Sequence, residues 1–186
     1  MMKREGIGEL DLELTPREQL QRRMIDAIAQ TMDLYGANYS FGQLYGIMFF
    51  EDRPMTLEEM KHMMSMSKSN MSYGVRSLIS SGMVTKLTEK QERKDLYMAE
   101  TDFFRAFRSF FTMKLQREID VMNEALEYVL PGLQELLEEV ELSEDERERC
   151  QLDYAKIQHA VEFYQSLQQF VDDLREGDIL PYKGGA

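Results

Sequence analysis

Residues 68–76 read KSNMSYGVR. Lys68, Ser69, Asn70, Ser72, Tyr73 and Arg76 supply short donors and acceptors, one aromatic ring and two cations, with no acid among them. Such groups suit base edges and phosphate oxygens, where a carboxylate would be repelled. Further on, Lys90, Arg93 and Lys94 crowd a short polar stretch of the kind that contacts a phosphate backbone. Residues 67–94 hold six cations against two acids, in a chain whose net charge is −12. A locally basic island in an acidic protein is the footprint of a phosphate-facing surface.

The elements that must present these groups can be read around them. Thr56 with Glu59 three residues on has capping-box spacing. Met60, Met63 and Met64 give the helix that follows an apolar face. Ser65-Met66-Ser67 is a short turn, and Ser67 can cap a second helix running from Lys68 to Ser80. Met71, Val75, Leu78 and Ile79 form its buried stripe, which leaves the polar set outside. Gly82 stops the helix. Met83–Leu87 reads as a strand, Thr88–Lys94 as a polar hairpin tip and Asp95–Ala99 as the return strand. The expected fold is therefore mainly α, a winged helix-turn-helix with a small two-stranded β wing. A winged helix can also dock protein, and a charged hairpin tip can simply be solvated.

The run MSKSNMSYGVRSLISSGMVTKL…ERKDLYMA resembles the recognition helix and wing of MarR-like winged-helix repressors. YGANYSFGQLYGIMFF before it and FFRAFRSFFTMKL after it extend the likeness to the GbsR-type branch, over roughly residues 15–175. That resemblance implies a transcriptional repressor binding a double-stranded DNA operator, with control of choline uptake and glycine betaine synthesis as its expected task. A MarR-like regulator of unrelated genes is the alternative within the class.

The chain has 186 residues, enough for one domain with a helical extension. Residues 117–186 carry 18 acids and 6 bases, while residues 1–116 balance at 16 of each. The acidity thus belongs to the C-terminal part, away from the basic island. A single cysteine, Cys150, excludes an intrachain disulfide and fits a reducing, cytoplasmic setting. No apolar run reaches transmembrane length and no signal peptide is recognisable, so no membrane is expected.

Four segments are expected: a flexible arm over 1–14, the winged helix with its leading helix over 15–99, a helical dimerisation and effector region over 100–176, and a tail over 177–186. Thr15-Pro16-Arg17-Glu18 starts a helix that Gly36 ends. Ser40 can cap the next one, in which Gly42 and Gly46, four apart, suggest close approach of another backbone. Thr101 or Asp102 caps a long helix to about Leu130, where Pro131-Gly132 marks a break or kink. Leu133, Leu136, Leu137 and Val140 continue a short helix, and Ser143 caps the last one. The apolar surface of the long C-terminal helices exceeds what one small winged helix can cover, so a homodimer is expected, which a palindromic operator also needs.

Catalytic chemistry finds no nucleophile elbow and no phosphate loop. His62, His159 and Cys150 lack ligand spacing, so neither metal nor cofactor is expected. Two aromatic groups remain: Tyr35, Tyr39, Phe41 and Tyr45 at one helix junction, and Phe103, Phe104, Phe107, Phe110 and Phe111 after the wing. Aromatic faces can cage a quaternary ammonium by cation–π attraction. The resemblance makes choline such a ligand, with Tyr35, Tyr39, Phe41, Tyr45, Phe104, Phe107 and Phe111 as candidates. Ordinary core packing accounts for the same rings equally well.

Overall fold

The computed structural model describes residues 14–138 and 141–177. Most of the expected N-terminal arm, Val140 and all but the first residue of the expected tail lie outside them. The chain divides into two compact units between Ala106 and Phe107.

The first unit begins with α1, Pro16–Leu34, and α2, Tyr39–Glu51. Thr15 and Glu18 close a capping box at the head of α1. Asn38, rather than Ser40, caps α2, because its side chain accepts from the Ser40 N–H at 2.9 Å. The two helices pack nearly backbone to backbone. A Cβ at Gly42 would lie 2.6 Å from the Ala29 Cα, and one at Gly46 would lie 3.1 Å from Ile25. The expectation drawn from this glycine pair is met by α1 itself.

A two-residue strand, β1 (Met55–Thr56), leads into α3, Leu57–Met64. Thr56 ends β1 and also caps α3 through a capping box with Glu59. After the turn, Ser67 caps α4, Lys68–Ser80. The buried side of α4 is Met71, Gly74, Val75 and Leu78, while Ile79 is only half-buried.

β2 (Val84–Gln91) and β3 (Lys94–Ala99) form the wing. The two-stranded wing is as expected, β1 joins its sheet, and one expectation, the extent of the hairpin tip, is corrected. The sheet has three strands in the order β1-β3-β2, with Met55 opposite Tyr97 and Thr56 opposite Leu96. Met55 is wholly buried. The polar stretch Thr88–Lys94 is mostly strand, because β2 continues to Gln91 and pairs with Lys94. Only Glu92 and Arg93 make the turn, both with positive φ, at 49° and 69°. The register shifts between Lys86 and Lys90, so β2 carries extra length against β3.

The core of this unit joins Ile28, Ala29 and Met32 of α1, Leu44, Tyr45 and Met48 of α2, Met60 of α3, and Met71, Val75 and Leu78 of α4. Met48, Met55, Met60 and Met71 are all essentially inaccessible, so much of the methionine content fills irregular core space.

α5, Phe103–Glu138, runs 36 residues through Pro131, where a break or kink is expected, with no break. Pro131 removes one backbone donor and crowds the preceding turn, together a cost of roughly 3 kcal/mol inside a helix. The ring is exposed, and so is Glu127, whose carbonyl loses that donor, so water can reach the gap. α6, Glu144–Glu176, starts at the Ser143 cap and ends at Gly177, whose φ is 93°.

In the second unit, α6 returns antiparallel to α5. Gln116 and Gln168 exchange amide hydrogen bonds at 2.8 and 3.1 Å, and the Tyr164 hydroxyl donates to Glu118 at 3.4 Å. Towards the other end, the Cys150 thiol donates to the Leu133 carbonyl at 3.4 Å. No helix of the described residues is long and apolar enough to cross a membrane.

Candidate nucleic-acid interface

The buried stripe of α4 fixes what its opposite side presents. With 100° between successive residues, Ser69, Tyr73, Arg76 and Ser80 form one ridge facing away from Met71 and Leu78. All four are exposed, with Tyr73 at 61%. Lys68 and Asn70 flank this ridge at the helix start and are exposed too, whereas Ser72 is half-buried. Ser80 was not among the sequence candidates. The helical spacing from Ser69, Tyr73 and Arg76 is the signal that finds it.

α2 stands behind this ridge. The Tyr73 ring meets Phe41 edge-on, with centroids 5.6 Å apart and planes at 61°. Phe41 is buried, and it lies where Gly74 lacks a side chain: a Cβ there would come within 2.8 Å of the phenyl ring.

The wing divides its cations into two groups. Lys86 donates to Asp95 at 2.7 Å, and Lys90 lies 3.6 Å from the same carboxylate. The hydrogen bond from Lys86 is the main cause that holds the Asp95 carboxyl below its usual range, and Asp95 in turn raises Lys86. Arg93 and Lys94 at the tip, like Lys68 and Arg76 on α4, are exposed, and among the described residues none of the four has an ion-pair partner. Two of the six cations in the basic island are therefore engaged within the wing, and four are available to an outside anion.

The aromatic candidates fall into both units. Tyr45 is wholly buried, and its hydroxyl donates to the Glu100 carbonyl at 2.9 Å. Burial, then the nearby Glu100 and Asp102, push this phenol far above its usual range. Tyr39 is half-buried and donates to Asp26 at 3.3 Å. Tyr35 is exposed beside the end of α1, and Phe104 is half-buried near the start of α5. In the second unit, Phe107 stacks on Phe111 at 5.6 Å with planes 12° apart, and Lys114 lies 5.6 Å from the Phe110 ring centre. Phe41 and Tyr45 thus have clear packing roles within the first unit.

Residues 103–181, which include α5 and α6, match the model of the GbsR family transcriptional regulator C-terminal helical hairpin. The HTH-type transcriptional repressor GbsR of Bacillus subtilis is 37% identical over 89% of this chain and 91% of its own length. The chain belongs to the GbsR family of transcriptional regulators. A second relative, the HTH-type transcriptional repressor OpcR of the same organism, is 26% identical over 89% of each chain. A crystal structure of a transcriptional regulator aligns over 84% of this GbsR-family chain and 98% of its own, with a TM-score of 0.49 at 14% identity.

Proposed function

We propose that this GbsR-family chain is a DNA-binding transcriptional repressor that reads a duplex operator with α4 and grips its backbone with the β2–β3 wing. The observation that carries the reading is the α4 ridge: Ser69, Tyr73, Arg76 and Ser80, flanked by Lys68 and Asn70, are exposed together with no acid on that face. Arg76 suits a guanine edge, and Arg93 and Lys94 suit phosphates or the adjacent minor groove. Lys90 joins them when a phosphate competes for it with Asp95. Repression rather than activation follows the two relatives named above, both transcriptional repressors.

The working unit is a homodimer formed through α5 and α6. Val121, Tyr128, Leu152 and Phe163 are 59%, 84%, 55% and 57% exposed in the single chain, a large apolar area to leave in water. The regulated genes are those of choline and glycine betaine supply, as the resemblance of the sequence to the GbsR-type branch implies. A quaternary-ammonium compound such as choline is the effector. Tyr35, Tyr39 and Phe104 of the first unit are the candidates for its aromatic contacts.

Filter binding or fluorescence anisotropy with duplexes selected from random DNA tests the central reading. Affinity should fall steeply as salt rises, because phosphate contacts release counterions. Arg76→Ala should weaken the selected duplex by roughly 1–3 kcal/mol while leaving random DNA nearly unaffected. Binding that ignores both salt and Arg76 would favour a protein-docking winged helix. Calorimetry with choline and with glycine betaine tests the effector, and heat from neither would remove it.

A further inference from the structure

Tyr73 is a large apolar ring held in water on the reading face of α4, 61% exposed. Among the described residues its hydroxyl has no hydrogen-bond partner, yet the ring has a support. Phe41 projects from α2 beneath it and makes an edge-on contact with centroids 5.6 Å apart. Phe41 can reach that position only because residue 74 is glycine. A side chain there would meet the phenyl ring at 2.8 Å. The ring of Phe41 is thereby buried against α4 in the space Gly74 leaves, and Tyr73 leans on it.

An exposed aromatic side chain held in one orientation has lost part of its ordering cost before any ligand arrives. What it offers is an apolar edge between Ser69 one turn before and Arg76 one turn after. In the major groove one base displays an apolar group: thymine, through its C5 methyl. Hydrogen-bonding side chains cannot discriminate a methyl, whereas a fixed ring can.

We propose that Tyr73 reads a thymine methyl group in the operator and that Phe41 is the positioning residue that holds its ring for that contact. This rests on the DNA-binding reading above and names the chemistry recognised at one position of the same face.

The test replaces thymines of a selected duplex one at a time by deoxyuridine, which removes the methyl and nothing else. For the wild type, one thymine in each half-site should show about a fourfold loss of affinity, the size expected for one buried methyl. Tyr73→Ala should lower affinity and abolish that thymine effect. Tyr73→Phe should keep it, because the ring and not the hydroxyl is the reader. Phe41→Leu should bring the thymine-to-deoxyuridine ratio towards one while melting stays cooperative and the salt dependence is unchanged. In the Tyr73→Ala background, Phe41→Leu should cause no further change in that ratio. If Phe41→Leu fails to fold, Phe41→Met takes its place.

Three results overturn the proposal. One is a wild type indifferent to every deoxyuridine. Another is a thymine effect that survives Tyr73→Ala. The third is a Tyr73→Phe variant as defective as Tyr73→Ala, which would assign the hydroxyl to a phosphate. A thymine ratio unchanged by either Phe41 variant removes the positioning role. A wild type with no preference for any duplex defeats the DNA-binding reading itself, and that outcome is distinct from selective binding without a thymine effect.

Discussion

Asp95 decides how much of the wing's charge is on offer. It holds Lys86 at 2.7 Å and stands 3.6 Å from Lys90. Its carboxyl lies below the usual range, so at neutral pH it is fully ionised and both lysines stay engaged. Asp95→Asn should release them. Anisotropy titrations on random duplex should then show tighter binding and a steeper salt dependence, by about one unit of slope per lysine that reaches a phosphate. An unchanged slope would mean that the wing lysines do not meet DNA. Tyr45 makes the contrasting residue-scale case. Its hydroxyl is buried and satisfied by the Glu100 carbonyl at 2.9 Å. Tyr45→Phe keeps the ring and leaves that carbonyl without this donor, so urea unfolding should show a loss of roughly 1 kcal/mol.

The wing hairpin stores local strain at its tip. Glu92 and Arg93 both occupy left-handed backbone, which side-chain-bearing residues adopt at a cost and which Asn-Gly adopts readily. The double change Glu92→Asn with Arg93→Gly should therefore stabilise the first unit by about 1 kcal/mol and at the same time weaken DNA binding, because Arg93 is lost. Thermal melting and anisotropy on the same variant would show opposite signs. A tip under selection for stability alone would show improvement, or none, in both. The helix starts make a second element-scale prediction. Glu59 is held below the usual carboxylate range chiefly by the Thr56 backbone N–H at 2.7 Å, then by the Thr56 hydroxyl and Arg53. A depressed folded pKa stabilises at pH values above the unfolded one, about 4.3, and the contribution is lost as pH falls through the folded value. Urea midpoints should fall below about pH 4, and Glu59→Gln should flatten that fall.

At the scale of the whole molecule, charge is segregated along the chain. Residues 117–186 carry 18 acids against 6 bases, and the exposed large apolar side chains Val121, Tyr128, Leu152 and Phe163 lie there too. A dimer built on these helices would bury the apolar set and keep DNA off its acidic surface. Sedimentation equilibrium at micromolar concentration should give twice the chain mass, and Phe163→Glu with Leu152→Glu should give the monomer and abolish selective DNA binding. In the DNA-bound form the two α4 helices should meet major grooves one turn apart, about 34–36 Å. A protein that sediments as a monomer while still binding a palindrome would sink this arrangement.

What the sequence by itself determined is what a single turn of chain decides. The capping pairs Thr15–Glu18 and Thr56–Glu59, the Ser67 and Ser143 caps, and the stops at Gly36, Gly82 and Gly177 all rest on atoms three or four residues apart. The α4 stripe and its polar ridge follow from the same short period. Gly42 and Gly46 announced a close approach, though not that α1 would be the partner. Only the tertiary structure could decide pairings between distant residues. Met55 becomes a strand because Tyr97, far along the chain, lies opposite it. β2 runs on into the polar stretch read as a tip because backbone pairing with Lys94 matters more there than side-chain polarity. Phe41 and Tyr45 are indistinguishable in sequence from rings waiting for a ligand, and it is Gly74 and Glu100, from other elements, that give them partners. Pro131 reads as a break or kink, yet the helix passes through it unbroken, because one missing donor on an exposed face costs less than giving up the contacts α6 makes with both halves of α5.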